Sequence, residues 1–201
     1  MKNVAILLSG RGSNFLALSN AIESGKIPAR IVLVLSNRPE AAGLKYAQER
    51  NYKTVCIPSK GVGRENYDRQ VVKELKAENT EVVCLAGFMR LLSTWFVQQY
   101  PHQNLNIHPS LLPSFPGLHG PRDALNWGAK VSGCTVHFVD EKLDHGPIVA
   151  QHSVPILDCD TEETLAARIL EQEHNIYSQA LKLVCEDQLH VEGRRVTKQS
   201  G

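Results

Sequence analysis

The chain has no excess of either charge. Over 201 residues, 22 Lys and Arg stand against 21 Asp and Glu, for a net charge of +1. A balanced, well-mixed chain of this kind presents neither a basic face for nucleic acid nor an acidic tail. No apolar run approaches the roughly 18 residues needed to cross a bilayer. The chain enters an apolar strand within two residues of Met1, so no signal peptide is expected ahead of it. The five cysteines (Cys56, Cys84, Cys134, Cys159 and Cys185) are widely spaced and form no CxxC. Cys56, Cys84 and Cys134 lie in apolar runs, where a reduced thiol behaves as a small hydrophobe, which argues against a disulfide framework and a zinc site. Eight histidines include no HxH or HExxH pair, so no metal is expected. These absences lead us to expect a cytoplasmic protein with no nucleic acid, membrane or metal partner, and they leave small phosphorylated substrates open. Monomer and homodimer both remain open.

What is present is an ordinary globular composition, 42% hydrophobic and 21% charged, expected to form a single domain over 1–201. Short β-rich apolar runs alternate with stretches of helical spacing. Strands are expected at Val4–Leu8, Ile31–Leu35, Thr54–Ile57, Val82–Ala86 and around Leu105–Ile107. Helices are expected between them, at about Ser13–Ser24, Glu40–Arg50, Glu65–Glu78 and Thr94–Tyr100. Near-continuous apolar strands joined by helices indicate a parallel sheet covered on both faces, and right-handed crossovers make it a doubly wound, Rossmann-like α/β sheet. In such sheets ligands bind at the carboxyl ends of the strands.

After position 108 the pattern changes. Pro109, Pro113, Pro116, Gly117 and Gly120 break the chain into a long loop, followed by a short helix at Arg122–Trp127. Two strands at Val131–Val139 and Pro147–Val154 suggest an antiparallel extension, and a long C-terminal helix from Thr161 to about Glu186 opens on an Asp160-Thr161-Glu162-Glu163 start signal. Residues 1–108 thus read as a nucleotide-binding half and 109–190 as its completion; the last five or so residues are expected to fray.

Two segments carry chemistry. Ser9-Gly10-Arg11-Gly12-Ser13-Asn14 joins the first strand to the first helix, where glycines allow a tight turn and the free N–H groups of the helix start favour a phosphate. A plain turn with Ser13 as cap is the alternative. A dinucleotide site fits poorly, because the third glycine of GxGxxG would fall on Phe15 and the second strand ends in Ser36-Asn37-Arg38 with no acid. No Walker Gly-Lys-Ser/Thr follows either. The second segment is Asn106-Ile107-His108. Two residues apart on a strand, Asn106 and His108 leave the same face, and Pro109 stops the strand so that both stand at its carboxyl edge. An amide and an imidazole aimed together can donate to a developing oxyanion. The polar turn Asp140–Gly146 could return a carboxylate, Asp144, to His108. On the residues alone, a histidine before Pro-Ser also reads as a turn residue, and His137 as a satisfied sheet histidine.

Several collinear segments add a resemblance. Leu105-Asn106-Ile107-His108-Pro109-Ser110-Leu111-Leu112-Pro113 resembles the signature of the folate-dependent formyltransferases. Ser9–Asn14, Leu85–Leu92, Arg64–Asp68 and Glu171–Tyr177 are similar to the branch of that family that formylates glycinamide ribonucleotide, and the likeness runs in order from Val4 to about Leu189. The resemblance implies direct transfer of a formyl group from 10-formyltetrahydrofolate to the amine of glycinamide ribonucleotide in purine (IMP) biosynthesis, without metal or covalent intermediate. It implies that Asn106 and His108 stabilise the tetrahedral oxyanion, that His108 manages proton transfer, and that Asp144 orients His108 or a water. Gly12, Ser13 and Asn14 would hold the ribonucleotide phosphate and Glu173 would contact the same substrate. Arg64, Met89, Arg90, Leu91, Leu92, Asn106 and the turn Asp140, Glu141, Lys142, Leu143 and Asp144 would line the folate site. Pro121 departs from the family pattern, which often has a histidine there. Methionyl-tRNA formyltransferase and formyltetrahydrofolate hydrolase share the Asn, His and Asp but normally add a further domain. A non-catalytic nucleotide-binding module is the alternative from another class.

Overall fold

The computed structural model describes residues 1–199. Five strands run in the first half: β1 (Lys2–Leu8), β2 (Ala29–Ser36), β3 (Thr54–Cys56), β4 (Val82–Leu85) and β5 (Asn104–His108). Helices α1 (Ser13–Glu23), α2 (Ala42–Glu49), α3 (Arg64–Ala77) and α4 (Thr94–Gln99) connect them. Then come α5 (Gly120–Trp127), β6 (Val131–Phe138), β7 (Ile148–Pro155), α6 (Glu162–Cys185), and a hairpin of β8 (Leu189–Glu192) and β9 (Arg195–Lys198). The large sheet has the order β3-β2-β1-β4-β5-β6-β7. Its first five strands are parallel, while β6 and β7 pair antiparallel.

The sheet buries an apolar layer on each face. On one side Ile6, Leu8, Phe15, Leu18 and Cys84 meet Leu165, Ile169 and Tyr177 of α6. On the other, Leu7, Leu33 and Leu35 meet Tyr67, Val71 and Leu75 of α3 and Phe96 of α4. The Tyr177 hydroxyl, fully buried, lies 3.0 Å from Leu85 O and 3.1 Å from Leu105 O, which ties α6 to the ends of β4 and β5. Thr161 caps α6 by accepting from Thr164 N while the Thr164 hydroxyl accepts from Thr161 N, a reciprocal capping box.

One expectation changes, and the structure adds detail to two others. The tail at Thr197 and Lys198 is not frayed but paired in β9, with Thr197 opposite His190 and Lys198 opposite Leu189; Ser200 and Gly201 lie outside the described residues. Cys56 is half-buried, and Cys185 joins Cys84 and Cys134 in the interior. Pro121, buried, occupies the first turn of α5, where its missing N–H costs nothing.

Candidate active site

Because β1, β4 and β5 are parallel neighbours, their carboxyl ends and the segments that follow form one rim. β1 leads into the glycine loop, β4 into Ala86–Leu92, and β5 ends on Asn106 and His108. Ser9 joins the first two segments: its Oγ accepts from Met89 N at 2.7 Å and its N–H donates to Gly87 O at 3.1 Å. A cavity of about 420 Å³ opens beside this rim. Its wall brings together Arg64, Met89–Leu92, Asn106, His108 and Asp140–Asp144, segments far apart in sequence. Leu85, Phe88, Leu92, Ile107 and Val139 make the inner wall apolar, and the polar groups gather where β5 ends. Arg90 is held in place within this wall by neighbouring loop carbonyls and an aromatic ring. Its guanidinium donates to Ser59 O and Val62 O, both at 3.1 Å, and lies 4.4 Å from the Tyr67 ring centroid, pinning the 59–62 segment.

At the polar end His108 Nδ1 lies 3.5 Å from Asp144 Oδ2, with both side chains buried. The carboxylate also accepts from Gly117 N at 2.8 Å, and His108 Nε2 donates to Phe115 O at 3.0 Å. The long loop is thus held over the site by the same two residues. Two backbone conformations are unusual. Asp144 has φ 47°, a left-handed geometry that aspartate tolerates, and Phe115 has φ 51°, which a bulky side chain adopts at a cost. Both lie where a polar backbone or side-chain group must meet His108.

His137, read from sequence as a sheet residue, belongs to this cluster. Antiparallel pairing places it opposite Asn106. It is 2% exposed, with Nδ1 2.9 Å from Phe138 O and Nε2 3.2 Å from Asn106 Nδ2. Burial lowers its pKa below the ordinary imidazole value. The signal in the sequence was the strand alternation itself, but the partner across the ladder required the sheet order.

The glycine loop lies apart from the cavity wall. Gly12, not Ser13, is the N-cap of α1; it adopts φ 80°, and no side chain caps the helix. A Cβ on Gly12 would come within 2.5 Å of Gly43 Cα, so the turn is closed by two glycines in backbone contact. The first-turn N–H groups of α1 are left to an outside acceptor. Beside them Asn14 Nδ2 donates to Glu173 Oε2 at 2.7 Å, joining α1 to α6 across 159 residues. Asn14 Oδ1, also buried, has no hydrogen-bond partner among the described residues.

Glu173 is 7% exposed, and burial raises its pKa while the Asn14 N–H opposes the rise. A carboxyl whose folded pKa exceeds its unfolded value contributes stability fully present below the unfolded pKa and lost as pH rises through the folded one. At neutral pH Glu173 therefore weighs against folding. In Glu173→Gln the charge is gone and the new amide can donate to Asn14 Oδ1. Thermal melts should place the variant above the parent at about pH 7.5, by about 2–4 °C per kcal/mol relieved, and the gap should close near about pH 4. A gap that does not vary with pH would assign the change to hydrogen bonding rather than charge.

Other chemistries find less support. Burial pushes the Cys134 and Cys185 thiols up to about 12, and Cys84 further, which leaves them poor nucleophiles. Among the described residues no three His, Cys, Asp or Glu side chains are grouped to hold a metal ion, and no helix is long and apolar enough to cross a membrane.

Residues 2–181 match the family model described as formyl transferase. The chain is 44% identical over 176 residues to phosphoribosylglycinamide formyltransferase of Escherichia coli (strain K12), covering 87% of this chain and 83% of that protein. It is 46% identical over 186 residues to the trifunctional purine biosynthetic protein adenosine-3 of Drosophila melanogaster, covering 91% of this chain but spanning only 14% of that relative's length. Among solved structures, glycinamide ribonucleotide transformylase 1 from Symbiobacterium toebii superposes with a TM-score of 0.97 at 43% identity, over 100% of this chain and 95% of that one.

Proposed function

We propose, for a chain that belongs to the formyl transferase family, transfer of the formyl group of 10-formyltetrahydrofolate to the amine of glycinamide ribonucleotide, a step of purine biosynthesis. The observation that carries this reading is the convergence of Asn106, His108 and Asp144 at one end of a cavity whose inner wall is apolar. The cavity suits a flat heteroaromatic donor, with apolar Leu and Met side chains for its faces and backbone groups for its edge. On the other side of Ser9, the uncapped start of α1 suits a phosphate, and Asn14 Oδ1 and Glu173 are acceptors for the hydroxyl or N–H donors of a ribonucleotide.

In this reading Asn106 Nδ2–H and a ring N–H of His108 donate to the formyl oxygen as the amine adds to the formyl carbon and the carbonyl pair moves onto oxygen. His108 reaches that oxygen by exchanging the Phe115 carbonyl for it. Asp144 holds the imidazole and provides the counter-charge to its protonated form. When the oxyanion collapses, the bond to the folate nitrogen breaks. His108 delivers a proton to that nitrogen, and the proton lost by the amine restores the balance. No side-chain nucleophile takes part.

The test offers the purified chain the formyl donor with glycinamide ribonucleotide, methionyl-tRNA or water as acceptor. Rapid release of tetrahydrofolate should require the ribonucleotide, with the formyl group recovered on its amine. Equal release without an acceptor would make the chain a hydrolase, and transfer to the tRNA would move it to another branch of the family.

A further inference from the structure

We propose that His137 is a positioning residue that sets the orientation of the Asn106 amide through a neutral ring with its proton on Nδ1. The inference rests on the formyl-transfer reading above and adds a residue that this reading does not use.

The geometry leaves the ring little choice. Nδ1 lies 2.9 Å from the Phe138 carbonyl oxygen, which can only accept, so Nδ1 carries a proton. The other nitrogen, Nε2, lies 3.2 Å from Asn106 Nδ2, an amide nitrogen that can only donate. Nε2 must then offer a lone pair, and the ring is neutral. The charged and titratable groups around it are His108, Asp144 and Asp140. Asp144 Oδ1 stands 3.9 Å from Nε2, beyond hydrogen-bond reach. Burial, the largest influence, lowers the pKa of the imidazole, and nearby His108 lowers it further; the Phe138 carbonyl, Asp144 and Asp140 oppose them without prevailing.

The consequence falls on Asn106. A primary amide can present either oxygen or nitrogen to a ligand, and an oxygen aimed at a developing oxyanion would repel it. By accepting one N–H of Asn106, His137 fixes which atom is nitrogen and leaves the second N–H for the reacting oxygen. A protonated His137 would instead need the Asn106 oxygen, turning the amide over. The cross-strand pairing of 106 with 137 fixes the separation from both backbones.

Two near-isosteric variants separate positioning from packing. Gln at 137 can place its amide oxygen where Nε2 stands. Asn can place its N–H near Nδ1 and satisfy Phe138 O, but it is too short to reach Asn106. His137→Asn should lower kcat by about 10–100-fold, the scale of a small misplacement at a reacting centre, with both KM values held within about 2-fold. His137→Gln should recover most of that loss. In an Asn106→Ala background, His137→Asn should cost nothing more, since its effect passes through the missing amide. Equal losses in Asn and Gln variants, or a His137→Asn loss that persists without Asn106, would overturn the proposal.

A measurement on the unaltered protein covers the case in which neither variant folds. With ¹⁵N-labelled histidine, His137 should show a protonated Nδ1 and a bare Nε2 between about pH 6 and pH 8, where an ordinary histidine titrates. A proton on Nε2 in that range would refute the assignment. This spectrum needs no substrate, so it stands or falls independently of the acceptor assay.

Discussion

Asn106→Ala is expected to lower kcat for formyl transfer by about 10²–10³-fold, the cost of removing one preorganised oxyanion donor. KM for both substrates should change little, because the amide is called on only as charge develops on the formyl oxygen. His108→Ala should be at least as damaging, since it removes a donor, the proton carrier and the partner of Asp144 together. It also frees Phe115 O and Asp144 from their contacts with the ring, so loop ordering should be followed alongside the rate. Steady-state kinetics on folded variants decides the matter. A near-normal kcat in either would remove that residue from the chemistry, whatever the family to which the chain belongs.

Gly146→Ala should produce the largest structural effect. A Cβ at this position would lie 1.8 Å from the Phe138 carbonyl oxygen and 3.2 Å from Asp140 N. No side-chain rotation relieves a clash with backbone, so the turn from Asp140 to Gly146 must open. A loss of about 3 kcal/mol is expected, or about 6–12 °C in Tm for a chain of this size. The turn carries Asp144, so the surviving folded protein should also turn over slowly. Gly63→Ala is the control: its φ is −58° and nothing approaches the added carbon within 4 Å, so its melt should fall only by the modest cost of alanine at the N-cap of α3, about 1 kcal/mol or less. An unaltered Tm for Gly146→Ala would show that the turn yields more readily than its packing suggests.

The alternation of apolar strands and helices was legible because the parallel strands are buried on both faces, and Val4–Leu8 reads as an unbroken apolar run for that reason. Asn106 and His108 could be placed at a strand end because Pro109 follows them. The hairpin was missed although Gly193 marks its turn, because its two four-residue strands are mostly exposed and strongly polar. Leu189, Val191 and Val196 pack against the main core only in part, so they leave a faint alternation. His137 is the satisfied sheet histidine that its strand suggested, but its partner Asn106 was not legible. Periodicity gives the face of a strand, whereas the neighbour across the ladder depends on sheet order, which no local pattern encodes. The Asn14–Glu173 contact and the commitment of the Arg90 guanidinium to two loop carbonyls are likewise products of packing between distant segments.

The parallel order of β1, β4 and β5 also separates the point of chain entry from the chemistry. Met1 is 85% exposed at the amino edge of the sheet, whereas the cavity lies at the carboxyl edge. The seven residues of β1 span about 23 Å from the amino to the carboxyl edge of the sheet, at about 3.3 Å per residue. A tether or an affinity tag joined at Met1 therefore departs from the amino edge of the sheet, opposite the edge that carries Asn106 and His108.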